Sequence, residues 1–175
     1  MIRNLLITGP PGCGKTTLVR RIVRDLGALP MAGFYTDEIR KDGERVGFAL
    51  IGLDGRRGIL SHVEAKGPHR VGRYGVDVPG FESFLQGIQT GNTGPCLIVI
   101  DEIGKMECIS GRFRSLIREC LDGPSPLLAT IALRGTPAME AIKARPDVRL
   151  ITMARGDREI RYQEVLGEVR RLVRE

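Results

Sequence analysis

The chain has no tryptophan, two histidines and only 5% aromatic residues. So thin an aromatic complement argues against a base-stacking surface for single-stranded nucleic acid. The histidines, His62 and His69, stand in neither a metal-ligand nor a triad spacing, and both are expected on the surface of a loop region. Cysteine is scarce too. Cys13, Cys96, Cys108 and Cys120 form no C-x-x-C pair and lie far from either histidine. That argues against a zinc site or a disulfide framework and predicts reduced, packed thiols. No apolar run reaches the ~18 residues of a membrane-spanning helix. The opening MIRNLLITGPPG lacks a small-residue cleavage site, so no signal peptide is read and a cytoplasmic location is expected. Repeats and low-complexity linkers are absent as well.

What is present suits one domain spanning residues 1–175, with 42% apolar residues to build its core. The net charge of +6 suits a polyanionic partner, either nucleic acid or a small phosphorylated ligand. The two basic clusters, VRRIVR at 19–24 and VRRLVR at 169–174, fall in amphipathic helical patterns. They read as solvated helix faces. A nucleic-acid partner is therefore not expected, although charge alone does not exclude one, and a monomer is expected.

The periodicity predicts an α/β fold. A first strand, RNLLIT at 3–8, leads into a glycine-rich segment and a helix over 15–26. Residues 31–78 differ. GFYTDEIR, RVGFALIGL and GILSHV are strand-like and punctuated by the turn signals KDGE and DGRRG. They predict an antiparallel meander inserted after the first helix, with VGRYGVDV as one more strand. A helix over 79–89 follows, then a buried strand over 96–101 and a helix over about 110–121, capped by Ser110. Further strands at 126–132 and VRLITM, a short helix over 136–144 and a C-terminal helix capped by Asp157 complete the pattern. Continuous apolar strands alternating with helices predict a mainly parallel sheet covered on both faces.

GPPGCGKT at 9–16 is G-x-x-x-x-G-K-[ST], preceded by an apolar strand and followed by a helix. Gly9, Gly12 and Gly14 leave room for backbone N–H groups to wrap phosphate oxygens, and the helix N-terminus adds positive potential. Lys15 can reach the β- and γ-phosphates and Thr16 can bind magnesium. Pro10 and Pro11 stiffen the loop, Cys13 is expected to contribute backbone, and Thr17 extends the nucleotide-binding stretch.

CLIVIDEIGKME at 96–107 carries two adjacent carboxylates on the tip of a buried strand. Ligands of open parallel sheets sit beyond the carboxyl ends of the strands, where the phosphate loop also lies. Side chains alternate along a strand, so the neighbouring acids take different tasks. Asp101 is the expected magnesium residue. Glu102 is the expected general base or water-orienting residue. DEIG also fits the D-x-x-G of GTP switches, but the N-K-x-D guanine selector is missing. The reading is magnesium-dependent hydrolysis of nucleoside triphosphates with loose base selectivity. The alternatives are a nucleotide or small-molecule kinase and a nucleotide-binding regulatory switch with little turnover.

GPPGCGKTTL, GFYTDEIR, RVGRYGVDV, DEIGKME and LATIA occur in this order. Together they resemble the nucleoside-triphosphatase family known from thermophilic microbes and from the human cancer-related nucleoside-triphosphatase. The resemblance covers nearly the whole chain and is weakest after about residue 133. It implies a RecA-like, additional-strand P-loop fold and slow, magnesium-dependent hydrolysis of several triphosphates, with Lys15, Thr16, Asp101 and Glu102 in the roles above. It also draws in Thr130, as a sensor of the γ-phosphate or water or as a polar strand end. Lys105 and Glu107 either contact the ligand or pair with each other. Arg40, Arg45, Arg70 and Arg73 are candidates for a cation acting in cis or for exposed scaffolding. Where the family often carries an Asn-Arg pair, this chain reads ITMARGDRE, which leaves Arg155 and Arg158 open as base or phosphate contacts.

Overall fold

The structure is a computed structural model in which residues 1–88 and 97–174 are described. Cys96, the first residue of the expected acid-bearing strand, lies outside that range, as does the last residue of the helix expected over 79–89.

β1 (Asn4–Thr8) runs into the glycine-rich loop and α1 (Lys15–Asp25) leaves it. β2 (Met31–Lys41), β3 (Glu44–Gly52) and β4 (Arg57–His62) follow as a meander. β5 (Arg70–Val71) and β6 (Tyr74–Val76) form a small hairpin before α2 (Val78–Leu85). β7 (Leu97–Ile103) leads through a single 3₁₀ turn (Glu107–Ile109) into α3 (Gly111–Asp122). β8 (Leu127–Ile131), α4 (Pro137–Lys143), β9 (Val148–Thr152) and α5 (Arg158–Leu172) complete the order.

These nine strands form one sheet in the order β5-β6-β4-β3-β2-β7-β8-β1-β9. The five from β2 to β9 are parallel and the other pairings are antiparallel. β8 stands between β1 and β7, which is the additional strand that the resemblance implied. The meander is present but is not a separate insertion. β2 belongs to both parts: residues 31–35 pair in parallel with β7, and residues 34–41 pair antiparallel with β3. The meander therefore extends the main sheet as a wing. The single strand expected at VGRYGVDV is broken in two, because Gly72 takes a left-handed conformation (φ 57°) and turns the chain.

Alternation along the central strands builds two cores. Leu5, Ile7, Val99 and Leu128 face α1 and α5, burying Leu18, Ile22, Val165 and Val169. Leu6, Ile98, Ile100 and Ala129 face the layer of α2, α3 and α4. There Phe34 meets Phe81 and Phe84 edge-on at 5.8 Å between centroids, a favoured aromatic geometry. Both faces of the central strands are thus covered, which accounts for their continuous apolar sequences.

The caps follow the sequence in part. Ser110 Oγ accepts from the Phe113 N–H at 3.0 Å, and Thr136 Oγ1 accepts from the Met139 N–H. Asp157 does not cap α5 with its side chain. Its carboxylate accepts from the Ala154 N–H, on the preceding loop, and pairs with Arg161. The histidines differ from each other: His69 is exposed in a loop, but His62 is half-buried and ends β4.

Candidate active site

The carboxyl ends of β1, β7 and β8 place the phosphate loop, the acid pair and Thr130 on one edge of the sheet. Beside them lies a cleft of about 670 Å³. One wall is the loop, through Pro11, Gly12, Gly14, Lys15, Thr16 and Thr17. The opposite wall is the wing, through Thr36, Asp37, Glu38, Arg40, Arg45 and Phe48. Glu102 and Arg158 also line it.

The loop needs its glycines. Gly12 and Gly14 sit at φ 73° and 104°, in the left-handed region that side chains resist. At Gly9 a Cβ would collide with the Met153 carbonyl oxygen. Cys13 does more than was expected of it, because its side chain is buried among the core residues of α1 and α5. It is not an exposed thiol. Lys15 Nζ donates to the Gly9 and Pro10 carbonyls at 3.0 and 3.3 Å, so the cation is held over the loop it serves.

Asp101 and Glu102 occupy different environments. The β7–β8 register shifts between Ile100 and Ile103, so two residues of β7 stand opposite Thr130 alone. Such a bulge re-aims side chains where regular alternation would fix them. The Asp101–Glu102 peptide bond is cis. Asp101 is fully buried, and its Oδ1 accepts from the Thr130 hydroxyl at 2.5 Å. Burial pushes its carboxyl up from the ordinary range. The Thr130 and Thr16 hydroxyls, the Thr36 N–H and Lys15 act in the opposite direction. Glu102 is half-buried and faces the cleft. Its carboxyl is likewise raised by burial, lowered by Lys15 and raised by Asp101.

Among the described residues, Asp101 Oδ2 is buried with no hydrogen-bond partner. An orphaned carboxylate oxygen in the interior is costly unless something compensates its charge. The neighbouring donor is the Thr16 hydroxyl, so the local set is all oxygen and fits a hard divalent cation such as magnesium. Beyond that pair, the described residues contain no cluster of three or more His, Cys, Asp or Glu able to hold a metal. The site matches an ion held by one acid, one hydroxyl and its ligand's phosphates.

The arginines sort differently from the sequence reading. Arg73 is not in the cleft. It is exposed, donates to the Arg45 carbonyl and to Tyr74 Oη, and lies 3.8 Å from Glu44. Arg70 is also outside, bonded to the Ala65 and Arg73 carbonyls. Arg40 and Arg45 do face the cleft, both paired with Glu38, at 2.7 and 2.9 Å. Arg158 reaches over the phosphate loop, so close that a Cβ on Gly14 would stand 2.7 Å from its Nε. Arg155 is exposed and away from the cleft lining. Lys105 is exposed while Glu107 is buried, and no ion pair joins them. Arg20, Asp37, Glu38 and Phe48 were missed, since only the pairing of β2 with β3 and α1 brings them to the cleft.

Comparisons with known proteins establish the family. A family model described as NTPase matches residues 4–166. The chain belongs to the NTPase family. It is 39% identical over 165 residues to the nucleoside-triphosphatase THEP1 of Thermotoga sp. (strain RQ2), covering 94% of each chain. It is 38% identical to the human cancer-related nucleoside-triphosphatase, covering 90% of this chain and 92% of the human one. The crystal structure of THEP1 from the hyperthermophile Aquifex aeolicus superposes with a TM-score of 0.85, at 35% identity, covering 95% of this chain and 98% of that one. The solution structure of the human protein gives 0.81 at 36% identity, covering 97% and 98%. In this family member, as in the expectation, the sheet is mixed with a parallel core and helices on both faces. No helix among the described residues is long and apolar enough to cross a membrane.

Proposed function

We propose that this NTPase-family chain hydrolyses nucleoside triphosphates to diphosphate and phosphate, that the reaction needs magnesium, and that it discriminates little between bases. The observation that carries the reading is the divided acid pair. Asp101 is sealed in the sheet with one oxygen unpartnered, while Glu102, its neighbour, faces the cleft beside the phosphate loop.

The loop N–H groups and Lys15 would bind the β- and γ-phosphates. These groups read phosphate and not base, which supports loose selectivity. Thr16 and Asp101 would hold the magnesium ion, which neutralises charge on the phosphate oxygens when bound. Glu102 would orient a water in line with the γ-phosphorus and accept its proton as the new O–P bond forms and the β–γ bridging bond breaks. Lys15 favours the ionised, base-competent form of Glu102. Thr130 fixes Asp101 and acts through it. Basic residues of α1 and α5 are committed to ion pairs, Arg20 with Asp37, Arg21 with Glu159 and Arg171 with Glu168. That supports solvated helix faces over nucleic-acid binding.

The test is phosphate release from ATP, GTP, CTP and UTP, with and without magnesium, beside Glu102→Gln. Magnesium-dependent release from several triphosphates that falls by roughly two to four decades in the variant is the expected result. Nucleotide binding without release would favour the kinase or switch alternative. Undiminished turnover in Glu102→Gln would remove Glu102 from the role of base.

A further inference from the structure

Glu107 is a buried carboxyl for which the reaction above has no use. It opens the 3₁₀ turn after β7 and is 6% exposed. Among the described residues it has no ion-pair partner, although buried charges are ordinarily paired. Its place is defined by Gly104. A Cβ on Gly104 would lie 2.7 Å from Glu107 Oε2 and 3.6 Å from Glu102 Cγ and Cδ. The absent side chain of Gly104 thus leaves a space bordered by both carboxyl-bearing side chains. The turn is closed around them by the Cys108 N–H on the Gly104 carbonyl at 3.0 Å and the Ser110 N–H on the Glu107 carbonyl at 3.1 Å.

We infer that Glu107 is a positioning residue for Glu102: its carboxyl, wedged against Gly104, fixes the turn that keeps Glu102 aimed into the cleft. The inference rests on the reading of Glu102 as the proton-accepting group.

The surroundings suit a neutral wedge. Burial, then the nearby Glu102 and Asp101, push the Glu107 carboxyl up to about 8, against the pull of the Gly104 and Glu107 N–H groups. The other titratable group beside it is Cys108, whose thiol is itself raised by burial and by Glu107. Arg114 of α3 donates from Nη1 to the Cys108 and Ile109 carbonyls and forms no ion pair with Glu107. Lys105, on the same turn, points to solvent and is exposed. Among the described residues no cation therefore pairs with the ionised form. A protonated Glu107 can sit beside Glu102 without repelling it. An ionised Glu107 would place a second negative charge against the same turn and strain the arrangement.

The experiment compares steady-state hydrolysis and nucleotide affinity in Glu107→Ala, Glu107→Gln and Glu102→Gln. Loosening a reacting group by about 1 Å can cost roughly a hundredfold. Glu107→Ala should lower kcat by about ten- to a hundredfold while KM and nucleotide affinity stay within about threefold. Glu107→Gln keeps the shape and cannot ionise, so at neutral pH it should hold kcat within about threefold of the parent. It should also keep that rate as pH rises through about 8, where the parent is expected to decline as Glu107 ionises. Full activity in Glu107→Ala, a Gln variant as impaired as the Ala variant, or an unchanged alkaline decline in Glu107→Gln would each overturn the inference. Should Glu107→Ala fail to fold, the pH profile of Glu107→Gln decides alone. Full turnover in Glu102→Gln would sink the reading of Glu102 and the inference with it. A dead Glu102→Gln beside a fully active Glu107→Ala would sink the inference alone.

Discussion

Thr130 Oγ1 donates to Asp101 Oδ1 across 2.5 Å, and both residues are fully buried. The bond ties the carboxyl end of β8 to the bulged end of β7, so the additional strand of the sheet directly orients the proposed magnesium ligand. Thr130→Val keeps the bulk and deletes the hydroxyl that Asp101 Oδ1 accepts from. A loss of about 1–3 kcal/mol of stability is expected. The magnesium concentration needed for half-maximal hydrolysis should rise by about tenfold. Thermal unfolding and a magnesium titration check the two effects separately. An unchanged magnesium requirement would reduce Thr130 to a polar strand end.

Among the described residues Lys15 hydrogen-bonds only to carbonyls of its own loop, so none of its hydrogen bonds ties one element to another. Lys15→Ala should change stability by less than about 0.5 kcal/mol without nucleotide. Triphosphate affinity should fall by more than about a hundredfold, because charge-assisted bonds to phosphate have no substitute there. Calorimetric titration beside thermal unfolding separates the two. A large loss of stability without nucleotide would mean that the lysine is a structural clasp.

How far the sequence could be read depended on whether a feature is local. The phosphate loop is a contiguous motif whose glycines answer to local backbone demands, so it was legible residue by residue. Strand types and the parallel core followed from apolar runs and their alternation with helices. The wing was legible as a meander. That β2 pairs antiparallel on one side and parallel on the other was not, because the switch of partners lies in tertiary pairing. The same limit explains the arginines. Arg73 and Arg45 occupy similar sequence contexts, yet only the register of β2 and β3 shows that Arg45 faces the cleft while Arg73 braces its backbone. Asp157 had a cap's identity and position, but a nearer N–H and an arginine took its carboxylate. Glu107 read as a ligand contact or a partner for Lys105, since burial of a charged residue leaves no mark in the sequence.

Arg158 offers a test of how the phosphate loop gains affinity. Its guanidinium lies against Gly14, where the helix N-terminus already favours anions. It is exposed and lines the cleft beside the phosphate loop. A cation there should bind ground state and transition state alike. Arg158→Ala is expected to raise KM by about three- to tenfold and leave kcat within about twofold. Steady-state kinetics with ATP and GTP checks this. A fall in kcat instead would place Arg158 on the reacting phosphate and make it the cis-acting cation. Gly14→Ala should be worse than either, since it adds a side chain at φ 104° and displaces Arg158 as well.

The raised carboxyl of Glu107 also has a consequence for stability that does not depend on catalysis. Its folded value of about 8 lies above the ordinary 4.5. Below 4.5 the folded and unfolded chains both carry the proton. Between 4.5 and 8 the unfolded chain has lost its proton and the folded chain retains it, so folding is progressively disfavoured as pH rises. Above 8 both forms are ionised and the loss is complete. Across the window this one group should remove on the order of 5 kcal/mol. Asp101 and Glu102, also raised, act in the same direction, while the ion-paired surface acids act oppositely at lower pH. The parent chain alone cannot isolate Glu107, but a difference can. Denaturant unfolding of the parent and of Glu107→Gln, at intervals from pH 4.5 to 8.5, should give curves that diverge steadily, with the variant gaining relative stability as pH rises. Parallel curves would mean that Glu107 is ionised in the folded protein throughout, and that an unseen compensation holds its charge.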